Sequence, residues 1–243
     1  MRRFAALLIT ILTALAVAAS AAGAATIGIA DQKADMFGDP RFQATGISHA
    51  RLSVPWDALS VPYARQNLDA WMQAAHAEGV SPLISFGHSA VKRHKLPTPE
   101  RFLYEFRRFR AVYPWVTDYA TWNEANHCGE PTCHRPTLVA AYFRKLRTGC
   151  PKCRILGAEL LDMPNMVSWI KAFRHVSTVQ PKYWGLHNYI DANRLRTSGT
   201  RRLLGATTGQ IWFTETGGIV SRTNRRKVTF PESTAHAAIA TRW

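Results

Sequence analysis

Glu124 and Glu215 each stand at the end of an apolar, aromatic-rich run: residues 119–126 read YATWNEAN and residues 210–218 read QIWFTETGG. A run that apolar belongs in a buried strand, and a carboxylate at its carboxyl end sits where a parallel α/β sheet or barrel keeps its chemistry. Two such carboxyl groups can face one bond. If their surroundings hold one protonated and the other ionised, they form the minimum equipment for cleaving a glycosidic linkage. Glu124 then reads as general acid and later general base, its pKa raised by partial burial and a neighbouring carboxylate, and Glu215 as the nucleophile. A pair working this way is expected about 5–5.5 Å apart. Glu159, which closes the run ILGAE at 155–159, and the nearby Asp162 are rival carboxylates with nothing to distinguish them.

The elements that must position these residues alternate in type along the chain. Strand-like runs fall at 26–30, 49–55, 82–87, 119–123, 154–159, 183–189 and 211–214. Amphipathic helical runs lie at 64–78, 99–113, 136–149 and 166–176, with weaker ones at 39–44 and 201–204. Gly79 suits a helix C-cap, and Thr98-Pro99-Glu100 a helix start with proline in its first turn. This alternation is the pattern of βα units and a parallel sheet. The two glutamates are 215 − 124 = 91 residues apart, and a (β/α)8 TIM-type barrel allots about 31 residues to each unit. Three units therefore separate them, so that if Glu124 ends the fourth strand, Glu215 ends the seventh. No eighth strand is legible: after PES at 231–233 the chain enters a helical run with no stop signal. The expectation is an incomplete seven-strand barrel without its last βα unit, a fragment rather than a native seven-strand design, with unpaired edges on strands one and seven.

The Asn123-Glu124 pair and Glu215, so placed, resemble the clan of retaining (β/α)8-barrel glycoside hydrolases that includes cellulases, mannanases and β-xylosidases. The resemblance runs in order through most of the chain after residue 25, and its specific part is these short motifs. It implies Glu124 as acid/base, Glu215 as nucleophile, and Asn123 as a hydrogen-bond partner of the sugar 2-hydroxyl. It also implies that Arg51 keeps the nucleophile charged and oriented, that His187 contacts substrate or tunes charge, and that the Tyr189 hydroxyl bonds the nucleophile. His187 and Tyr189 would alternate onto one face of the sixth strand. His88 and Trp56 are further candidates for substrate contact, whereas Trp122, Trp184 and Trp212 fit the core more readily. The aromatic platform that the clan carries on its eighth strand has no counterpart here.

Composition bounds the rest. Residues 1–25 read as a secretory signal: Arg2 and Arg3, an apolar run from 4 to 19, then small residues. An uncleaved anchor is the alternative for a run of that length. Residues 26–243 are expected to form one domain and a monomer. The formal net charge is +15, or 15 − 2 = +13 once Arg2 and Arg3 are removed. Basic residues cluster at 107–110, 201–202 and 225–227, yet no groove-fitting element or stacking platform for nucleic acid accompanies them.

Cys128, Cys133, Cys150 and Cys153 suit disulfides in an exported chain. A 14-residue helix at 136–149 would span about 21 Å and keep Cys133 from Cys150, favouring Cys128–Cys133 and Cys150–Cys153 over one four-cysteine zinc site. The sequence thus predicts a secreted enzyme with a carbohydrate substrate, no cofactor and no metal. A carbohydrate-binding barrel impaired in catalysis and a basic cell-envelope interaction protein are the alternatives from other classes.

Overall fold

The computed structural model describes residues 25–222 and 229–243. Seven strands, β1 (Ile29–Ala30), β2 (His49–Pro55), β3 (Ser81–Gly87), β4 (Asp118–Ala120), β5 (Arg154–Leu161), β6 (Tyr183–His187) and β7 (Gln210–Glu215), form one parallel sheet in chain order. The helices between them are α1 (Pro40–Ala44), α2 (Pro62–Ala77), α3 (Pro99–Val112), α4 (Pro136–Gly149), α5 (Met166–Val176), α6 (Tyr189–Asn193) and α7 (Ser198–Ala206), and α8 (Thr234–Arg242) follows β7.

Arg51 on β2 donates to Glu215 on β7 over 2.6 Å. Five inter-strand steps of about 4.8 Å would put these strands about 24 Å apart in a flat sheet. The sheet is therefore curled, and its architecture is that of an incomplete (β/α)8 barrel. Among the described residues β1 pairs only with β2, and β7 only with β6. The seam between them holds an open cavity of about 500 Å³ lined by Ile29, Ala50, Leu83, Ile211 and Phe213, among others. A second, of about 300 Å³, reaches Tyr189 and Glu215. Phe213 is 50 % exposed there, where an inner residue of a closed barrel would be covered.

Local chemistry sets the helices. Thr98 caps α3 by accepting the Arg101 N–H, and Pro99 fills its first turn. Phe102, Phe106 and Phe109 then pack edge-on against Phe86 of β3, a geometry that aromatic rings favour. Gly79, at φ +66°, ends α2 in a conformation that costs a residue without Cβ little.

Three strands are shorter than expected, and two of them build the site. Strand β1 pairs over two residues rather than five. Strand β4 leaves the ladder after Ala120, yet the Asn123 N–H still donates to the Phe86 carbonyl and that of Ala125 to the Glu159 carbonyl. Strand β6 stops at His187 instead of running to Tyr189. The buried carboxylate of Asp162 accepts the N–H groups of Ile190 and Asp191, which turns the chain into α6. Tyr189 therefore starts a short helix and does not alternate with His187 on a strand.

The cysteines pair locally, Cys128 with Cys133 and Cys150 with Cys153, at Cα separations of 4.8 and 5.4 Å. Non-reducing peptide mapping should recover these two loops; a Cys133–Cys150 crosslinked peptide, or stoichiometric zinc in the purified protein, would contradict the pairing. The signal-like residues 1–24 and the basic cluster at 225–227 lie outside the described residues. Among the described residues no helix is long and apolar enough to cross a membrane.

Candidate active site

Arg51 from β2, Asn123 and Glu124 from the chain just past β4, Glu159 from β5, His187 from the end of β6 and Glu215 from the end of β7 meet at a common point. Arg51, 4 % exposed, is at its centre. Its Nε and Nη2 donate to the two oxygens of Glu159 at 2.7 and 2.5 Å, its Nη1 to Glu215 Oε1 at 2.6 Å, and its Nη2 also to Asn123 Oδ1 at 2.7 Å. Because a guanidinium only donates, the last contact fixes which end of the Asn123 amide is oxygen. The NH2 is then the donor end of the amide. Glu215 receives a second hydrogen bond, 2.9 Å, from the Tyr189 hydroxyl to Oε2. Burial and the charge of Glu215 push the Tyr189 phenol well above the ordinary range, so it stays a donor.

Glu124 enters from the irregular end of β4 with φ +45°, a conformation uncommon for a residue with a side chain. His187, fully buried, places Nδ1 3.2 Å from Glu124 Oε1 and 3.6 Å from Glu215 Oε2. One ligand-type atom from each of Glu124, His187 and Glu215 lies within 4.8 Å of the other two. His127 adds a contact at 3.6 Å to the other oxygen of Glu124. The sequence-based expectation of a raised Glu124 pKa is reversed. Burial does push it up, but the hydrogen bond from His187 and the charges of His187, His127 and Arg51 outweigh burial and hold the carboxyl below its ordinary value.

The sequence reading passed over Glu159, and the structure gives it a central place. Its side chain is wholly buried on β5, accepts both Arg51 donors and the Ser85 hydroxyl, and passes over Gly185 of β6, where a Cβ would meet Glu159 Cγ at 2.5 Å. Its signal was the same as that of the other two glutamates, an acid closing an apolar run. Only the clan's motif ranked it below them. Burial penalises this carboxylate, yet the charge and hydrogen bonds of Arg51, with lesser help from His187 and Ser85, hold its pKa at about 2.

A folded-state pKa depressed in this way contributes stability that is complete above the unfolded-state value and is lost as pH falls towards about 2. At 1.36 kcal/mol per unit, the contribution is about 3 kcal/mol. Chemical denaturation of wild type should weaken by that order between pH 6 and pH 2.5, and Glu159→Gln should show a flatter pH dependence. Parallel curves would contradict the assignment.

Two other candidates stand apart from this group. Trp56 is a core residue whose indole N–H donates to the Lys95 carbonyl. His88 pairs with the buried Glu130, which also accepts from Trp122. Trp122 and Trp184 are buried in the core, and Trp212 faces the seam cavity beneath Arg154. Asn126, which the sequence did not single out, clamps the turn after Glu124: its amide oxygen accepts the Leu161 N–H and its nitrogen donates to the Leu161 carbonyl and to Asn165.

The curled parallel sheet matches solved structures. A fungal β-1,4-galactanase is 15 % identical, with a TM-score of 0.61 over 85 % of this chain and 78 % of its own. The chain has the fold of glycoside hydrolases. A GH30 endoxylanase from Clostridium papyrosolvens C71 is 14 % identical, with a TM-score of 0.52 over 80 % of this chain and 57 % of its own. A monomeric β-xylosidase from Caulobacter crescentus CB15 is 15 % identical, with a TM-score of 0.50 over 68 % and 42 %. The chain thus spans about half the length of the last two. No family model matches the sequence, and neither does any curated protein.

Proposed function

We propose that the protein is a secreted retaining glycoside hydrolase acting on β-linked glycosides. The observation that carries this reading is the convergence of Glu124 and Glu215 at the ends of β4 and β7, within reach of one buried histidine. Their facing oxygens lie within 4.8 Å. That is near the short separation that serves direct nucleophilic attack and below the 6.5–9.5 Å that leaves room for an attacking water. The β-galactanase, endoxylanase and β-xylosidase among the structural neighbours support a β-linked glycan as substrate, and the two disulfides support export.

In the first step a Glu215 oxygen attacks the anomeric carbon while Glu124 gives a proton to the departing glycosidic oxygen. The aglycone leaves as an alcohol and a glycosyl ester forms on Glu215. In the second, the Glu124 carboxylate takes a proton from water as that water attacks the same carbon, and the ester bond to Glu215 breaks. Arg51 and Tyr189 hold the plane of Glu215 with one donor to each oxygen. The amide NH2 of Asn123 is placed to bond a sugar hydroxyl, a contact that strengthens as positive charge builds on the ring. His187, His127 and Arg51 favour the carboxylate form of Glu124, and a bound sugar that excludes water favours its protonated, proton-giving form.

The test is to incubate the protein with a panel of aryl β-glycosides and β-linked polysaccharides and to follow the anomeric proton by NMR. Release of the β-anomer first is the expected result. First release of the α-anomer would contradict the double displacement, and failure to cleave any member would contradict the enzyme reading. The second reading, a carbohydrate-binding barrel with impaired catalysis, is favoured by the open seam beside Glu215. Sugar binding by calorimetry without turnover would select it.

A further inference from the structure

We propose that Glu159 is a positioning residue that holds the Arg51 guanidinium edge-on between Glu215 and Asn123, dividing its charge between two carboxylates; the role rests on the hydrolase reading above. An arginine fork prefers to grip one carboxylate with two parallel hydrogen bonds. Here that grip goes to Glu159, which lies away from solvent, and Glu215 receives a single bond from Nη1. The arrangement leaves Glu215 free of a second guanidinium donor, so its remaining lone pairs are available for attack. It also turns Nη2 towards Asn123, which orients the amide.

Burying a third carboxylate is costly unless it is fully paired, and the surroundings are shaped to hold this one. Arg51 faces it from β2, Ser85 from β3 and His187 from β6, and Gly185 leaves the space its side chain crosses. Among the described residues His187 Nε2 has no hydrogen-bond partner, and it lies 3.8 Å from Glu159 Oε2. Glu159 therefore acts on both reacting glutamates at one remove: through Arg51 on Glu215, and through His187 on Glu124.

Glu159→Gln keeps the shape and removes the charge, while Glu159→Asp keeps the charge and shortens the reach. With Gln, the undivided charge of Arg51 acts on Glu215 and Glu124, and the negative field on His187 falls. Glu124 is faced by His187, His127 and Arg51, and Glu215 by Arg51, Tyr189 and His187; the direct effect of removing the Glu159 charge is to favour the ionised form of both glutamates. The pH profile of kcat/KM in Glu159→Gln should therefore move to lower pH by about one unit. Its kcat should fall by about 10- to 100-fold, with KM within about threefold of wild type because no sugar contact is removed.

Glu159→Asp should lose kcat while its profile stays at the wild-type pH. A Glu159→Gln profile that superimposes on wild type would overturn the proposal, whatever its kcat, since a merely structural pair changes the amount of folded protein and not the position of the limbs. A second measurement needs no activity: ¹⁵N NMR of the arginine Nε–H groups should show a slowly exchanging Arg51 signal that Glu159→Gln weakens. If wild type cleaves no glycoside, the hydrolase reading fails by itself. A missing slow Nε–H signal in wild type, or one unchanged in Glu159→Gln, overturns the positioning role.

Discussion

Glu215→Gln is expected to lower β-glycoside hydrolysis by at least about 10⁴-fold, because a neutral amide in place of the nucleophile cannot form the glycosyl ester, and groups acting as one unit fail together. Arg51 and Tyr189 both donate to this residue, and the amide would present them with one acceptor instead of two. Glu124→Gln should behave differently. Loss of a general acid costs about 10²–10⁴-fold, and the loss should depend on how much help the leaving group needs. An aryl glycoside whose phenol departs readily should retain most of its rate of glycosyl-ester formation, whereas a disaccharide should lose nearly all of it. The double variant should be no worse than Glu215→Gln alone. The measurement is kcat/KM of each variant on one activated aryl glycoside and one oligosaccharide, in protein shown by circular dichroism to be folded. A variant of Glu215 that kept a tenth of wild-type activity would remove this residue from the chemistry.

The second large effect concerns the seam. Extending the chain with an eighth βα unit, designed to pair with β7 and β1, should raise kcat/KM by about 100-fold, the scale of a 1 Å error in placing reacting groups. Among the described residues Glu215 stands on a strand with one neighbour, beside a cavity of about 300 Å³. An edge strand is held by half the ladder that fixes a central one, and site residues keep their geometry only when their supporting elements are rigid. Water reaching Glu215 also weakens the electrostatic difference that lets one glutamate give a proton while the other attacks. The comparison is between the 243-residue chain and the extended one on the same substrates. Equal kcat/KM would show that the open seam is harmless. An extended chain with no activity on any substrate would favour the binding-module reading.

The residues that meet at the site are spread over more than 160 positions, yet several carried their own marks. The runs before Glu124 and Glu215 are apolar enough to mark strands, and the acids that close them do lie at one rim of the parallel sheet, although β4 leaves the ladder after Ala120 and β7 is part-exposed along the seam. The alternation of strand and helix, the cap at Thr98 and the glycine at position 79 are local in origin, and the structure reproduces them because local propensity and burial agree there. The spacing of 91 residues set the two acids three units apart, which β4 and β7 satisfy.

What needed the tertiary structure is every property that depends on which charge faces which. Strand β6 ends early because Asp162, distant in sequence, captures the N–H groups of Ile190 and Asp191, so the position of Tyr189 is decided by a contact between elements. Glu159 carries the same sequence mark as Glu124 and Glu215. Only the curl of the sheet, which brings β2 across to β5 and β7, makes it the principal partner of Arg51. The sign of the Glu124 pKa shift was read from burial and a neighbouring carboxylate, whereas His187 and His127 decide it from closer range. Sequence by itself determined the strands, their order and the rim that holds the acids, because those follow from hydrophobic periodicity along the chain. Closure of the site, its ion pairs and its proton balance follow from distances across the barrel, and Coulomb interactions at 3 Å obey those distances and not the separation in sequence.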